Sequence, residues 1–350
     1  MGKKVYMLVA GLLILLLAAG CAYETKEQAR ARLSGSGGNA AAGEAGKLTN
    51  IHFYVPSEAE NKITIVDVPS GKPVGSIDVS EAPTNVVFSS TMREAYVANQ
   101  KSSTVSFINT QTLQVTKEVP VGPMPHGLAL SPDNRTLYVS TVADQYIYVV
   151  DVREGKEAGT IDLGTGAKTN YLVLFADRLY ISDHENHKVY VVNTKSKELI
   201  HTIATGNTPR ALKVSSDGKK LFVPAAGSGT LEIYSTEDFK PLAKIEIAPG
   251  ATDVVIAEDG KTAVVTAMES SSVSFVDLAS NKVTQTVTGL AGARHLAFNR
   301  MESRVYVTLS GSDELAIIDT AAKSLEGSIK VGATPHGVSL KALPGIGGSC

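Results

Sequence analysis

The decapeptides "VGPMPHGLAL" (residues 121–130) and "VGATPHGVSL" (residues 331–340) are identical at six of ten positions, although they lie far apart in the chain. His126 and His336 are separated by 210 residues. If both stretches belong to an internal repeat, the period of that repeat must divide 210.

Two columns of residues give the period as 42. Steps of 42 from Asp67 reach seven polar residues, each preceded by two apolar residues: Asp67, Asn109, Asp151, Asn193, Ser235, Asp277 and Asp319. The same steps from Tyr54 reach a mostly aromatic column: Tyr54, Tyr96, Tyr138, Tyr180, Phe222, Val264 and Tyr306. Repeats of about 40 residues built from strands are typical of β-propellers. We therefore expect seven copies that follow one another without insertion.

The aromatic column lies in segments such as "YVPS", "YVAN" and "YVTL". Together with "SPDNRTLYVS" (131–140), these segments resemble the YVTN-type β-propeller repeat family over roughly residues 51–343. The resemblance implies an all-β, seven-bladed propeller of 42-residue, four-stranded repeats, but not one activity, because a fold hosts many functions. YVTN-type propellers are also similar to the haem-binding propellers of cytochrome cd-type nitrite reductases. That similarity implies a possible tetrapyrrole, with His126 and His336 in a suitable column.

The order of strands predicts how the ring closes. Each period contains four strand patterns separated by turn signals such as "SPDN" and "REGK". The first pattern, "IHFYV" (51–55), matches the second strand of a blade, and the last, "HGVSL" (336–340), matches a first strand. The C-terminal strand should therefore complete the first blade, which removes the exposed sheet edges.

The N-terminus has the pattern of an exported lipoprotein. Lys3 and Lys4 precede a 16-residue apolar run, which fits a signal peptide over residues 1–20 and is short for a membrane span. The run ends in "LLAAGC", which resembles a bacterial lipobox with lipidation at Cys21. An ordinary signal peptide followed by a chance cysteine is the alternative. Residues 21–50 then read as a lipidated cysteine and flexible tether, with a short helix possible over "TKEQARAR", and residues 344–350 as a flexible tail.

This pattern predicts export and attachment to the cell membrane or outer membrane, on its periplasmic or extracellular side, through the N-terminal lipid only. Removing residues 1–20 takes away two lysines and no acid, which leaves 31 basic and 35 acidic residues and a net charge of −4. That balance gives no reason to expect a specific nucleic-acid partner. With Cys21 lipidated, Cys350 would be a lone thiol, and no disulfide within the domain would form.

No catalytic motif is present: the chain lacks G-x-S-x-G, H-E-x-x-H, C-x-x-C and P-loop patterns. "DHENH" (183–187) offers a His-x-x-His pair, but a solvated hairpin tip has the same composition, so we assign no metal site. The loops between second and third strands differ in every copy, which favours binding on the face that carries them.

A column at the start of the innermost strands predicts the binding site. Steps of 42 give Thr84, His126, Lys168, Arg210, Thr252, Arg294 and His336. Five of these seven residues are basic types and none is acidic. The fold brings such a column to one rim, where Arg210 and Arg294 would grip a carboxylate or phosphate and His126, Lys168 and His336 would add charge.

Three functions remain open at this point. The first is a lipid-anchored binding or scaffold protein, whose ligand is a protein partner, an envelope polymer or a small anion. The second is a tetrapyrrole-binding protein, implied by the resemblance and without a covalent haem motif. The third is an enzyme of the lactonase-like or lyase-like propeller kind. The sequence favours the first function, with no cofactor.

Overall fold

The computed structural model describes residues 24–35 and 51–341. The predicted signal peptide 1–20, the lipidation site Cys21 and the predicted tail 344–350 lie outside these residues. Within the described part of the chain, no helix is long and apolar enough to cross a membrane.

The described chain contains one helix, α1 (Lys26–Gly35), followed by 28 strands. Blades one to three contain β1 (His52–Ser57), β2 (Lys62–Asp67), β3 (Lys72–Asp78); β4 (Pro83–Phe88), β5 (Glu94–Asn99), β6 (Thr104–Asn109), β7 (Gln114–Pro120); β8 (Pro125–Leu130), β9 (Thr136–Thr141), β10 (Tyr146–Asp151), β11 (Lys156–Asp162). Blades four and five contain β12 (Thr169–Phe175), β13 (Arg178–Asp183), β14 (Lys188–Asn193), β15 (Glu198–Ala204); β16 (Lys213–Val214), β17 (Lys220–Ala225), β18 (Thr230–Ser235), β19 (Pro241–Glu246). Blades six and seven contain β20 (Ala251–Ile256), β21 (Thr262–Ala267), β22 (Ser272–Asp277), β23 (Lys282–Thr288); β24 (Ala293–Phe298), β25 (Arg304–Leu309), β26 (Glu314–Asp319), β27 (Ser324–Lys330). The last strand is β28 (Ser339–Lys341).

These strands form seven four-stranded antiparallel sheets, so the predicted seven-bladed, all-β propeller is confirmed. Blade one has the strand order β28-β1-β2-β3, which confirms closure by the C-terminal strand. His52 pairs with Lys341, and the His336 amide donates to the Pro56 carbonyl at 2.9 Å. The two ends of the propeller are therefore hydrogen-bonded to each other in one sheet.

The aromatic column forms the core between blades. Its members lie on the second strand of each blade and are all buried, with no side chain more than 7% exposed. Tyr54 of blade one packs edge-on against Phe88 of blade two, with ring centroids 5.0 Å apart. Aromatic residues recur in this column because each inter-blade layer needs one large apolar side chain to fill it.

The polar column ends the third strand of each blade and shapes the turn to the fourth, which we call the outer hairpin turn. In blade six, Asp277 Oδ1 accepts hydrogen bonds from the amides of Ala279 at 3.0 Å and Ser280 at 2.7 Å. Asp, Asn and Ser recur here because their short side chains bond to the backbone two or three residues ahead. Four positions after each member the backbone has a positive φ: Gly71, Leu113, Gly155, Lys197, Phe239, Asn281 and Lys323.

Blade four departs from the register predicted by the sequence. Its first strand pairs Thr169 with Asp183, whereas blade three pairs Pro125 with Thr141. The first-strand positions are thus 44 residues apart, while their partners are 42 apart. The connection before β12 is two residues longer than its counterpart before β8, and the turn after β12 is two residues shorter. The expectation of copies without insertion was therefore wrong, because two opposite length changes cancel and leave the later register unchanged.

Helix α1 packs on the outside of blades two and three, within the segment where the sequence predicts a tether and allows a short helix. Ala29 is fully buried. The Lys26 ammonium pairs with Glu157 and lies 5.0 Å from the centre of the Tyr148 ring. Just before the helix, the Glu24 amide donates to the Lys101 carbonyl at 2.6 Å. This contact holds the start of α1 beside the loop between β5 and β6.

Candidate binding site at the mouth of the central channel

The innermost strands bring one ring of side chains to the mouth of the channel, on the face that carries the variable loops. By strand pairing, this first ring consists of Thr84, His126, Asn170, Arg210, Thr252, Arg294 and His336. Four of the five predicted ligand-binding residues, His126, Arg210, Arg294 and His336, line the same pocket in this ring. Lys168 does not belong to the ring, because the two-residue shift in blade four puts Asn170 in its place.

Hydroxyl groups on the second strands fix these inner strands. In blade seven, Thr308 Oγ1 accepts from the His295 amide at 3.0 Å and donates to the His336 carbonyl of blade one at 2.6 Å. In blade six, Thr266 makes the same two bonds, to the Asp253 amide at 3.0 Å and the Arg294 carbonyl at 2.7 Å. Each hydroxyl thus joins the irregular inner strand of its own blade to that of the next.

A second ring, one residue further along each inner strand, closes the channel. Its members are Asn85, Gly127, Tyr171, Ala211, Asp253, His295 and Gly337. The Tyr171 hydroxyl donates to Asn85 Oδ1 at 2.7 Å, and His295 Nδ1 lies 2.8 Å from Asp253 Oδ2. Glycine at position 337 leaves room for the neighbouring blade, because a Cβ there would lie 2.8 Å from the Thr84 carbonyl oxygen.

Four aromatic rings from the two rings of residues form a plug across the channel. His295 stacks on His336 with centroids 5.0 Å apart, and Tyr171 stacks on the other side with centroids 5.5 Å apart. His126 packs edge-on against His336 at 4.8 Å. Sequence reasoning missed Tyr171, Asp253 and His295. Their signal was a column of Asn, Tyr, Asp and His interrupted only by Gly and Ala, but it becomes visible only once blade four is correctly registered.

The plug separates two cavities. The mouth pocket has a volume of about 100 Å³ and is lined mainly by first-ring residues, with Glu269 from the loop between β21 and β22. The cavity on the other side is larger, about 360 Å³, and has mostly aliphatic walls with Tyr171, Asp253 and His295 at its end. A third depression, of about 620 Å³, lies between blades six and seven on the opposite face, away from the charged rings. The mouth pocket is therefore the place where the charged groups converge.

Glu58 changes the electrostatics expected for the mouth. It comes from the loop between β1 and β2, and its carboxylate is 3.0 Å from Arg294 Nη1 and in contact with His336 Nδ1. The column contains no acidic residue, but the variable loop of blade one supplies one. Arg294 is thus already paired, and Glu58 ties blade seven to the closing segment of blade one.

Arg210 is the cation that remains for a ligand. Its side chain is half-buried and makes no hydrogen bond or ion pair with any residue that the structure describes. Burial and the nearby Arg294 lower the pKa of the Arg210 guanidinium, while Glu269 opposes that shift. An arginine still carries its charge after such a shift, so the pocket contains a partly desolvated positive charge without a direct counterion.

The two predicted site histidines are neutral at pH 7. Burial, followed by the repulsion from Arg294, lowers the pKa of His126 and of His336 well below the usual value. The expectation that these rings add charge near pH 6.5 is therefore wrong for the folded protein. Burial and the nearby Asp253 also raise the pKa of Tyr171 well above its usual value, so its hydroxyl stays protonated.

The His-x-x-His pair of blade four points to backbone groups. His184 Nδ1 lies 3.1 Å from the Lys168 carbonyl, and His187 Nδ1 accepts from the Thr208 amide at 3.0 Å. In residues 24–35 and 51–341 there is no group of three or more His, Cys, Asp or Glu side chains that could hold a metal ion.

Comparisons with known proteins agree with the fold. Residues 93–342 match the model of the YNCE-like beta-propeller family. YncE of Salmonella typhimurium is 33% identical over 87 residues, which are 25% of this chain and only 24% of that relative. The solved structure of the periplasmic gluconolactonase PpgL of Pseudomonas aeruginosa has a TM-score of 0.72 and 19% identity, and the match covers 84% of this chain and 99% of PpgL.

The dihydro-haem d1 dehydrogenase NirN in complex with DHE is also similar, with a TM-score of 0.63 and 15% identity over 86% of this chain and 77% of NirN. At such identities the likeness to PpgL and NirN concerns the fold alone.

Proposed function

The chain belongs to the YNCE-like β-propeller family, and from that premise and the mouth geometry we propose that it is a binding protein that takes a small anion into the mouth pocket. The unpaired, half-buried guanidinium of Arg210 carries this proposal. A buried charge is costly unless it is paired, so a site that keeps one is energetically prepared for a counterion. Arg294, His126 and His336 surround the same space.

The volume of the pocket limits the ligand. About 100 Å³ accommodates a carboxylate-sized or phosphate-sized group, or the anionic end of a larger molecule. The net electrostatic effect is local, because the mature chain is acidic overall. A protein partner or an envelope polymer would bind here through one exposed anionic group.

Calorimetric titration with sodium acetate at pH 7.5 and low chloride tests this proposal. Arg210→Ala should weaken acetate binding by about 10- to 100-fold, because it removes a charge-assisted hydrogen bond. Lys168→Ala is the matched control, since Lys168 is the cation of the predicted column that lies outside the first ring, and it should bind acetate like the unmodified protein. Equal binding by both variants, or no binding by the unmodified protein, would remove the proposal.

Hydrolysis is a second candidate function, favoured by the His295–Asp253 pair. A carboxylate on Nδ1 fixes the tautomer of an imidazole and leaves Nε2 able to accept a proton from water. His295 lines the mouth pocket together with Arg210, where an oxyanion would be stabilised. The gluconolactonase PpgL suggests the first substrate to test. Hydrolysis of glucono-1,5-lactone above the buffer rate, lost in His295→Gln and kept in His201→Gln, would support an enzyme.

A tetrapyrrole has less support. The mouth pocket is smaller than the roughly 300–1,000 Å³ typical of sites for drug-sized ligands. His126 and His336 pack directly against each other, so neither ring faces a gap of macrocycle size. The residues present therefore do not fit the group as they stand. A Soret band in protein purified from its native host would reverse this assessment.

We further propose that the propeller is held at the cell envelope by a lipid on Cys21. Glu24 is fixed beside the loop between β5 and β6, and three residues span at most about 11 Å. Such an anchor would keep the mouth face close to the membrane. Cys21→Ser should move the protein from the membrane fraction to the soluble fraction, and a variant that stays in the membrane fraction would disprove the anchor.

A further inference from the structure

We propose that the ligand of the mouth pocket is a small hydroxycarboxylate, an anion with a hydroxyl group next to its carboxylate. This inference rests on the anion-binding function proposed above and adds a second recognition element. That element is the Nε2 atom of His336, which is buried and has no hydrogen-bond partner.

The neighbours of His336 fix which of its nitrogens carries the proton. Nδ1 contacts the Glu58 carboxylate, which also pairs with Arg294. A carboxylate paired with an arginine is ionised and can only accept hydrogen bonds. The ring proton is therefore on Nδ1, and Nε2 presents a lone pair. Because burial and Arg294 hold the pKa of His336 well below its usual value, the ring stays neutral and Nε2 remains an acceptor at pH 7.

A buried acceptor without a partner costs about 1–3 kcal/mol, and such groups in native proteins call for an explanation. A simple oxyanion does not satisfy Nε2, because both atoms present lone pairs. The mouth pocket thus offers donors from Arg210 and an acceptor from His336. It is complementary to a molecule that carries a negative charge and a hydrogen-bond donor close together.

Pocket size selects the class of molecule. A volume of about 100 Å³ equals roughly that of three water molecules in the liquid. This space suits a two- or three-carbon hydroxy acid, or the hydroxycarboxylate end of a sugar acid. Asn170 lines the same pocket and can donate and accept, which fits further hydroxyl groups on such a ligand.

Calorimetric comparison of glycolate with acetate on the unmodified protein at pH 7.5 tests the inference. The two anions differ by one hydroxyl group. Glycolate should bind about tenfold more tightly, the effect of one hydrogen bond to an otherwise unpaired buried acceptor. Methoxyacetate, which has the same oxygen but no donor, should bind no better than acetate.

The outcomes separate this inference from the function beneath it. Equal affinity for glycolate and acetate overturns recognition of the hydroxyl group, for instance because a water molecule satisfies Nε2, and leaves anion binding standing. Failure of both anions to bind overturns both proposals. Tighter binding of methoxyacetate than of acetate, by as much as glycolate, assigns the gain to contact area and also overturns the inference.

A variant then identifies the acceptor. In His336→Leu, affinity for glycolate should fall to that for acetate, while acetate binding changes little because Arg210 is kept. His201→Leu, which alters an exposed ring on blade four, is the control and should keep the full preference for glycolate. If His336→Leu does not fold, the comparison of glycolate, acetate and methoxyacetate on the unmodified protein still decides.

Discussion

The outer hairpin turns and the inner ring obey the same 42-residue period, yet they differ in what the period conserves. Every outer turn begins with Asp, Asn or Ser and has a positive φ four residues later. The first ring instead contains threonine, histidine, asparagine and arginine in an order without symmetry. One column repeats its chemistry and the other varies it.

The difference separates residues that build the blade from residues that act on a ligand. The outer turn has the same task seven times, since its polar side chain satisfies backbone amides of its own hairpin. The inner residues share only one task, the inter-blade backbone contacts, which their main chains perform. Their side chains are therefore free to differ, and the pocket arises where they do. Each prediction below perturbs one side of this comparison.

Loss of ring closure should have the largest effect. Ending the chain at Ala333 removes β28 and His336, so blade one loses its inner strand while all outer hairpins remain. We expect the cooperative thermal transition to be lost and aggregation to follow, since both blade one and Glu58 are left unpaired. Circular dichroism melting and limited proteolysis measure this. A chain ended at residue 343 is the control, and an unchanged melt of the shorter chain would contradict the role of closure.

Acidification should weaken the inner ring next. His126 and His336 have lowered pKa values in the folded state, so between pH 6.5 and the lowered values the unfolded chain binds more protons. The free energy of unfolding should therefore fall as the pH drops, by about 2 kcal/mol per histidine between pH 7 and pH 5.

Arg210, Arg294, His295 and Glu58 also face these rings, so the measurement is comparative. Urea unfolding at pH 7 and pH 5 should show a smaller loss for His336→Leu than for the unmodified protein. His201→Leu, on the outer strand of blade four, should keep the full loss. Identical pH dependence in all three proteins would show that the buried rings do not cause it.

Removal of one inner hydroxyl should cost somewhat less. Thr308→Val keeps the shape of the side chain but leaves the His295 amide and the His336 carbonyl without this partner. The free energy of unfolding should drop by about 1–3 kcal/mol. Thr284→Val changes a threonine on an outer strand whose hydroxyl bonds to the Phe275 carbonyl at 3.2 Å, and should cost about 0.5 kcal/mol or less. Equal losses would mean that inner and outer hydroxyls are equivalent.

The outer turns should give the smallest and most uniform effects. Lys197 has a φ of 60° where blades one and three have glycine, so Lys197→Gly should stabilise the protein by about 0.5 kcal/mol. Gly71→Ala makes the opposite change where a Cβ would meet only Ile329 at 4.0 Å, so backbone strain alone should destabilise by about 1 kcal/mol. Shifts of the same sign in thermal melts of the two variants would contradict this account.

The sequence predicted the parts of the molecule that depend on repetition. The aromatic column located the inter-blade core, and the unmatched strand patterns at residues 51–55 and 336–340 located the closure of blade one. These features follow from local pattern and counting, which the sequence contains in full.

It did not predict features that depend on one blade alone. The two length changes around β12 cancel, so the later columns stay in phase and Lys168 is counted where Asn170 lies. Glu58 reaches Arg294 from a variable loop, whose path has no repeat to reveal it. For the same reason the pairing of His295 with Asp253, which joins two blades, was not visible in either segment.

Closure through β28 and β1 also means that the mouth pocket belongs to the ring and not to the order of the chain. Glu58, Arg210, Arg294 and His336 come from three blades, and the natural ends of the propeller are neighbours in one sheet. A linker that joins those ends, with new termini opened in an outer hairpin turn such as that at Lys195, gives a circular permutant. Since each side chain keeps its neighbours in space, such a permutant retains the complete pocket although its residues are encoded in a different sequence.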